Sequence, residues 1–121
     1  MVWKGVIVEE SLKDKSLLKL VRIIDTEKEK LEGEDRVMIF HKIEVEDNKK
    51  DEFVEKAIKA IKKGFYIHLV KDKVMYVLFK GVMYRFSRGS PELEEARKHG
   101  KSIGIPEEQM PFEHLIEEPW D

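Results

Sequence analysis

The stretch GFYIHLVKDKVMYVLFKGVMYRFSRG, residues 64–89, contains three apolar runs at 65–70, 74–79 and 82–86. Only Lys71-Asp72-Lys73 and Lys80-Gly81 separate them. Runs of five or six residues, rich in valine and aromatics and broken at such short intervals, are too short for helices. They predict a tight antiparallel meander. The rest of the chain is expected to cover or extend that sheet.

Immediately upstream, Phe53, Val54, Ala57, Ile58 and Ile61 fall at helical spacing and make one apolar stripe. Asp47 or Asn48 is the expected cap. Lys62 and Lys63 suit the negative end of the dipole, and Gly64 suits a left-handed stop. Before that helix, residues 37–45 alternate: Val37, Ile39, His41, Ile43 and Val45 point one way, Met38, Phe40, Lys42 and Glu44 the other. A first strand is expected over 3–9. Between the two, Leu12, Leu17, Leu18, Val21 and Ile24 approximate a helical stripe, but Val21, Ile23 and Ile24 are β-branched. This predicts a short helix over 12–18, with Ser11 as cap and Asp14 as its capping-box partner, then a strand from about 20 into the late twenties. One long helix is the alternative. That strand and 37–45 are expected to pair as a hairpin across the polar connection 31–35.

Downstream, Ser90 is the expected N-cap and Pro91 the first position of a helix that Gly100 would end. Residues 103–106 read as extended and 106–110 as one turn. Pro111 opens a last short helix with Phe112, Leu115 and Ile116 on one side, and Pro119 stops it. The element order β-α-β-β-α-β, then two strands and short helices, predicts a single α+β domain over 1–121. A mainly antiparallel sheet, helices on one face and a ferredoxin-like core extended by the meander follow from that order. In general terms this order resembles that of small thermophile proteins of no assigned activity, a resemblance that carries no functional residue across.

With 121 residues and no cysteine, the chain needs no staple and excludes a disulfide framework, a cysteine nucleophile and thiolate metal sites. No apolar run reaches the ~20 residues of a membrane span, and the opening residues lack a signal-peptide pattern, so the expected location is the cytoplasm. Charged residues make up 40%, and Asn48, Gln109 and Thr26 are the sole examples of their types, a composition associated with a thermophilic source. Lys59, Lys62, Lys63, Lys71, Lys73, Lys80, Arg85 and Arg88 face only Asp72 between 59 and 88, whereas 106–121 is acidic without a lysine or arginine. The acidic tail, which also carries apolar anchors, is expected to fold back over the basic region.

The polar group singled out for ligand binding is Tyr66, His68, Tyr84, Arg85 and Arg88. Tyr66 and His68 share one face of the first meander strand, and Arg85 interrupts an apolar pattern, so its guanidinium needs a carboxylate such as Glu113 or a bound anion. His41 lies in a strand, His99 at a helix end, and His114 belongs to no metal-ligand spacing; no metal and no cofactor are expected. Ser87, Ser90 and Ser102 lack a nucleophile-elbow setting. Lys63-Gly64-Phe65-Tyr66-Ile67 imitates the start of an RNA-recognition signature but has Tyr66 where a small residue belongs, and it follows the helix it should precede. The leading expectation is a binding or assembly module that forms a homo-oligomer through a sheet edge or face. The alternative is a small enzyme or anionic-ligand binder using the Tyr/His/Arg cluster. A third reading, single-stranded nucleic-acid binding through exposed aromatics, is opposed by the net charge of −2.

Overall fold

The computed structural model describes residues 1–30 and 37–121. The connection expected at 31–35 lies outside them. Six strands, β1 (Val2–Val8), β2 (Arg22–Lys30), β3 (Val37–Glu46), β4 (Ile67–Lys71), β5 (Val74–Phe79) and β6 (Val82–Ser87), form one sheet in the order β2-β3-β1-β4-β5-β6. Every neighbouring pair is antiparallel. Three α-helices, α1 (Lys50–Ala60), α2 (Pro91–Ser102) and α3 (Phe112–Glu117), complete an α+β architecture. Among the described residues no helix is long and apolar enough to cross a membrane.

The meander turns are tighter than the sequence implies. Lys71 pairs with Val74, so the first turn is the two residues Asp72 and Lys73, with φ of 51° and 66°. That is the twist-matched conformation for a hairpin, here adopted without glycine. In the second turn Gly81 supplies the positive φ, 77°, and its N–H donates to the Ile58 carbonyl of α1 at 2.8 Å.

The helices were expected on one face; they cover both. The reason lies in β5, where Met75 to Phe79 are all buried. A strand apolar on both sides has to be covered on both sides. On the first face, Trp3, Ile7, Ile43, Leu69, Tyr76 and Leu78 pack under Phe53 and Ala57 of α1. On the second, Val70, Met75, Val77, Phe79 and Phe86 pack under Leu93 and Ala96 of α2 and Phe112, Leu115 and Ile116 of α3. The acidic tail thus folds back over the meander, and Glu117 pairs with Lys73 and Arg88.

Segment 12–20 is neither the short α-helix nor the long one expected. Two 3₁₀ turns, Glu9–Ser11 and Lys15–Leu20, occupy it. Leu12 bridges Ile61 and, with Leu17, enters the first-face core, which a continuous helix could not allow while delivering Arg22 to β2. Ser11 donates to the Val8 carbonyl instead of capping, and Asp14 is itself the cap, accepting from Ser16 N at 3.0 Å.

The cap expected for α1 is also corrected. Lys49 holds that position without a side-chain bond, because Asp47 is taken by Trp3 Nε1 at 2.8 Å and by Lys71. The Lys71 bond, then the Trp3 bond, hold the Asp47 carboxyl below its usual pKa. Gly100 does not end α2, which runs on to Ser102. It sits against Met110, whose Sδ would lie 2.3 Å from an added Cβ. Ser90 stands at the N-cap position but accepts from Ser87 N rather than capping with its side chain.

Candidate functional site

On the second face, α2 and α3 lie over β5 and β6, and the cover thins towards β1 and β3. A cavity of about 400 Å³ opens there, between the sheet and the segment that follows α2. Its sheet wall is Val6 and Val8 of β1, Met38 and Phe40 of β3 and His68 of β4; Ile105, Pro111 and Leu115 form the opposite wall. Tyr66, Gln109, Glu108 and Asp121 stand at its polar margin, and among the described residues no lysine or arginine lines it.

The register explains why His68 is there. It pairs with Val6 on one side and Val77 on the other, all on the second face. Gly5 makes the β1–β4 approach possible: a Cβ at that position would lie 1.9 Å from the His68 carbonyl oxygen. His68 is 5% exposed. Its Nε2 lies 2.6 Å from the Pro119 carbonyl, an acceptor only, so the proton is on Nε2. Burial pushes the imidazole pKa below its ordinary value, which keeps the ring neutral and leaves Nδ1 with its lone pair. Nδ1 has no partner among the described residues, yet no buried side-chain nitrogen or oxygen there is left unsatisfied. Nδ1 therefore reaches accessible space, and the space His68 lines is this cavity.

Tyr66 closes one end. Its hydroxyl donates to the Gln109 carbonyl at 2.5 Å, and its ring meets Phe112 edge-on at 5.6 Å. Burial raises the phenol pKa, so the hydroxyl keeps its proton. Outside the lining, next to Asp121, Trp120 Nε1 donates to the Ile43 carbonyl at 3.1 Å, with Lys4 4.9 Å above the indole.

Of the five residues expected to form a ligand group, Tyr66 and His68 meet at the cavity, their ring centres 6.4 Å apart. Tyr84 shares their face but packs against Phe79 and His99, away from the cavity. Arg85 pairs with Tyr76 in register, which puts it on the opposite face, exposed and without an ion pair among the described residues. Arg88 is exposed and lies 3.6 Å from Glu117. The Glu113 carboxylate expected for Arg85 serves Arg97 instead, and that bond holds its pKa down. Tyr76 and Phe86 are buried and Tyr66 and Tyr84 half-buried, so the meander aromatics are core rather than a bare stacking surface.

Sequence reading missed the contributions of Glu108, Gln109, Pro119 and Asp121, which no local pattern marks. It also passed over a second polar cluster. His41, 6% exposed, is held between Thr26 Oγ1 at 2.9 Å and Glu9 Oε1 at 3.1 Å. Hydroxyl, imidazole and carboxylate are the parts of a nucleophilic relay, but neither the cavity above nor a smaller one of about 160 Å³ between Arg22 and Glu44 is lined by Thr26 or His41. A relay needs a place for the reacting atom; this cluster satisfies the two nitrogens of a histidine buried by the sheet.

Against protein-family models, curated proteins and solved structures, the chain finds no match.

Proposed function

We propose that this chain is a binding module that holds a small, largely apolar molecule between its sheet and its C-terminal segment. The observation that carries the reading is that the buried His68, whose Nδ1 has no partner among the described residues, lines an apolar cavity of about 400 Å³. That volume lies within the range of roughly 300–1,000 Å³ found for small-molecule sites, where a few polar groups set orientation inside apolar walls. An anionic ligand, the sequence-based alternative, has less support: the margin carries Glu108 and Asp121 and, among the described residues, no cation. The test is an amide-shift titration of the protein with small aromatic fragments. Shifts clustered at Tyr66, His68 and Leu115, lost in Val8→Trp, are expected; fragments that leave those amides unmoved at millimolar concentration refute the reading.

We further infer that the first four strands form a ferredoxin-like core. Its support is that β1 and β2 flank β3, β3 and β4 flank β1, and α1 joins the latter pair, with 3₁₀ turns in place of the first helix. Self-association is the second functional reading. In its favour, β2 is an edge strand among the described residues, and Ile23 and Ile24 are exposed. Against it stand the Asp25, Glu27, Lys28, Glu29 and Lys30 charges and the irregular register between Ile23 and Asp25, which blunt an edge. Sedimentation across a hundredfold concentration range decides it, and a strict monomer removes it.

A further inference from the structure

The cavity also states what kind of molecule it would take; this step rests on the binding reading above. Its interior acceptor is a neutral imidazole nitrogen, since Nε2–H is committed to Pro119 and Nδ1 is unpartnered among the described residues. Its margin carries the carboxylates of Glu108 and Asp121. Two lysines on the same sheet face are occupied: Lys4 lies 4.9 Å over the Trp120 ring and Lys42 3.6 Å from Glu27. Tyr66 has already spent its one proton on the Gln109 carbonyl. Among the described residues the charged groups at the margin are thus carboxylates, Glu108 and Asp121, the latter with Oδ2 2.7 Å from His114 Nε2; the Gln109 carboxamide is the neutral donor beside them, and the interior side-chain acceptor is His68 Nδ1. Such a site desolvates an anion without compensation, which a partly enclosed apolar space penalises heavily. It accepts an N–H donor, and a positive charge best of all.

We propose that the occupant is a hydrophobic amine in its ammonium form, an aryl- or alkylamine whose apolar body lies along Val6, Val8, Phe40 and Leu115. Its N–H groups face His68 Nδ1 and the two marginal carboxylates. The chemistry is reversible binding, with no covalent step.

Three probes of nearly equal shape test it: 2-phenylethylamine, 2-phenylethanol and 3-phenylpropanoate, titrated against the full chain at pH 7.5 by ligand-observed NMR. The amine is expected to bind about tenfold more tightly than the alcohol, the scale of a partly exposed charge pair, and the carboxylate most weakly. The double variant Glu108→Gln, Asp121→Asn changes only exposed groups and should keep the fold. It is expected to bring the amine down to the alcohol's affinity and leave the alcohol unchanged. If the alcohol binds but the carboxylate equals or exceeds the amine, or the double variant leaves the amine's advantage intact, the amine class is wrong and the binding module stands. If none of the three binds, both fall.

Discussion

The two faces of the sheet are covered in different ways. The first is sealed by elements close in sequence to the strands they cover: α1 leads directly into β4, and Leu12 and Leu17 follow β1. Phe53, fully buried, shares that core with Trp3, Ile43 and Leu69, and no ligand cavity is described in it. The second face is covered by the chain's last quarter, arriving from the far side of β6. That cover is complete over the meander and incomplete over β1 and β3. One sheet therefore has a face that supplies stability and a face that leaves room for a ligand.

Gly5→Ala shares the largest expected effect with the two core truncations that follow. The new methyl would meet backbone, the His68 carbonyl at 1.9 Å, and strand separation is the only relief. A loss of about 3 kcal/mol or more in urea unfolding is expected, since overpacking against backbone lies at the upper end of its usual cost. A midpoint like that of the parent would mean that β1 and β4 are not in this register.

Phe53→Ala and Phe112→Ala come next, each removing a fully buried ring at about 3–5 kcal/mol. They separate the faces by a second readout. Phe112→Ala should weaken fragment binding, because Tyr66 leans on that ring, whereas Phe53→Ala should leave the affinity of the folded protein alone. Equal effects on binding would erase the distinction between the faces.

Smaller again is a pH effect. The folded-state pKa of His68 is below its unfolded value, so the unfolded chain binds the extra proton first. Stability is full above the unfolded pKa of about 6.5 and declines as pH falls through the window beneath it, by at most ~1.4 kcal/mol per pH unit. Histidine proton shifts in NMR follow the group directly, and a His68 resonance titrating at or above 6.5 refutes the neutral assignment. The least effect expected is that of Glu117→Gln. Its carboxylate pairs with Lys73 and Arg88 at the surface, and such pairs are screened by solvent and salt. A melting midpoint indistinguishable from the parent's is the expected result.

What the sequence revealed follows the range of each interaction. The stripe from Phe53 to Ala57, the alternation in 37–45 and the punctuated runs of the meander are local patterns, and each gave its element, although α1 ends at Ala60, short of the Lys62-Lys63-Gly64 stop expected, because Ile61 is extended and bridges Leu12. The joint placement of Tyr66 and His68 follows from strand parity alone. The position of Arg85 was readable too: across two-residue turns His68 faces Val77 and Val77 faces Tyr84, which leaves Arg85 on the other side. Reading Lys71-Asp72-Lys73 as one break hid this, because glycine-free positive φ angles leave no mark in composition. Caps failed where a distant partner outbid the local one, as Trp3 and Lys71 did for Asp47. The cavity could not be read at all, since its walls meet across 43 positions for Tyr66 and Gln109 and 51 for His68 and Pro119.

The chain has two tryptophans, and each layer holds one: Trp3 lies in the core beneath α1, and Trp120 hangs over the opposite side, tied to the Ile43 carbonyl. Replacing Trp3 by phenylalanine would leave a single fluorophore beside the ligand space, and replacing Trp120 would leave one in the sealed layer. Emission from the two variants would then time the detachment of the C-terminal segment separately from the collapse of the sheet, turning the asymmetry of the molecule into an optical signal.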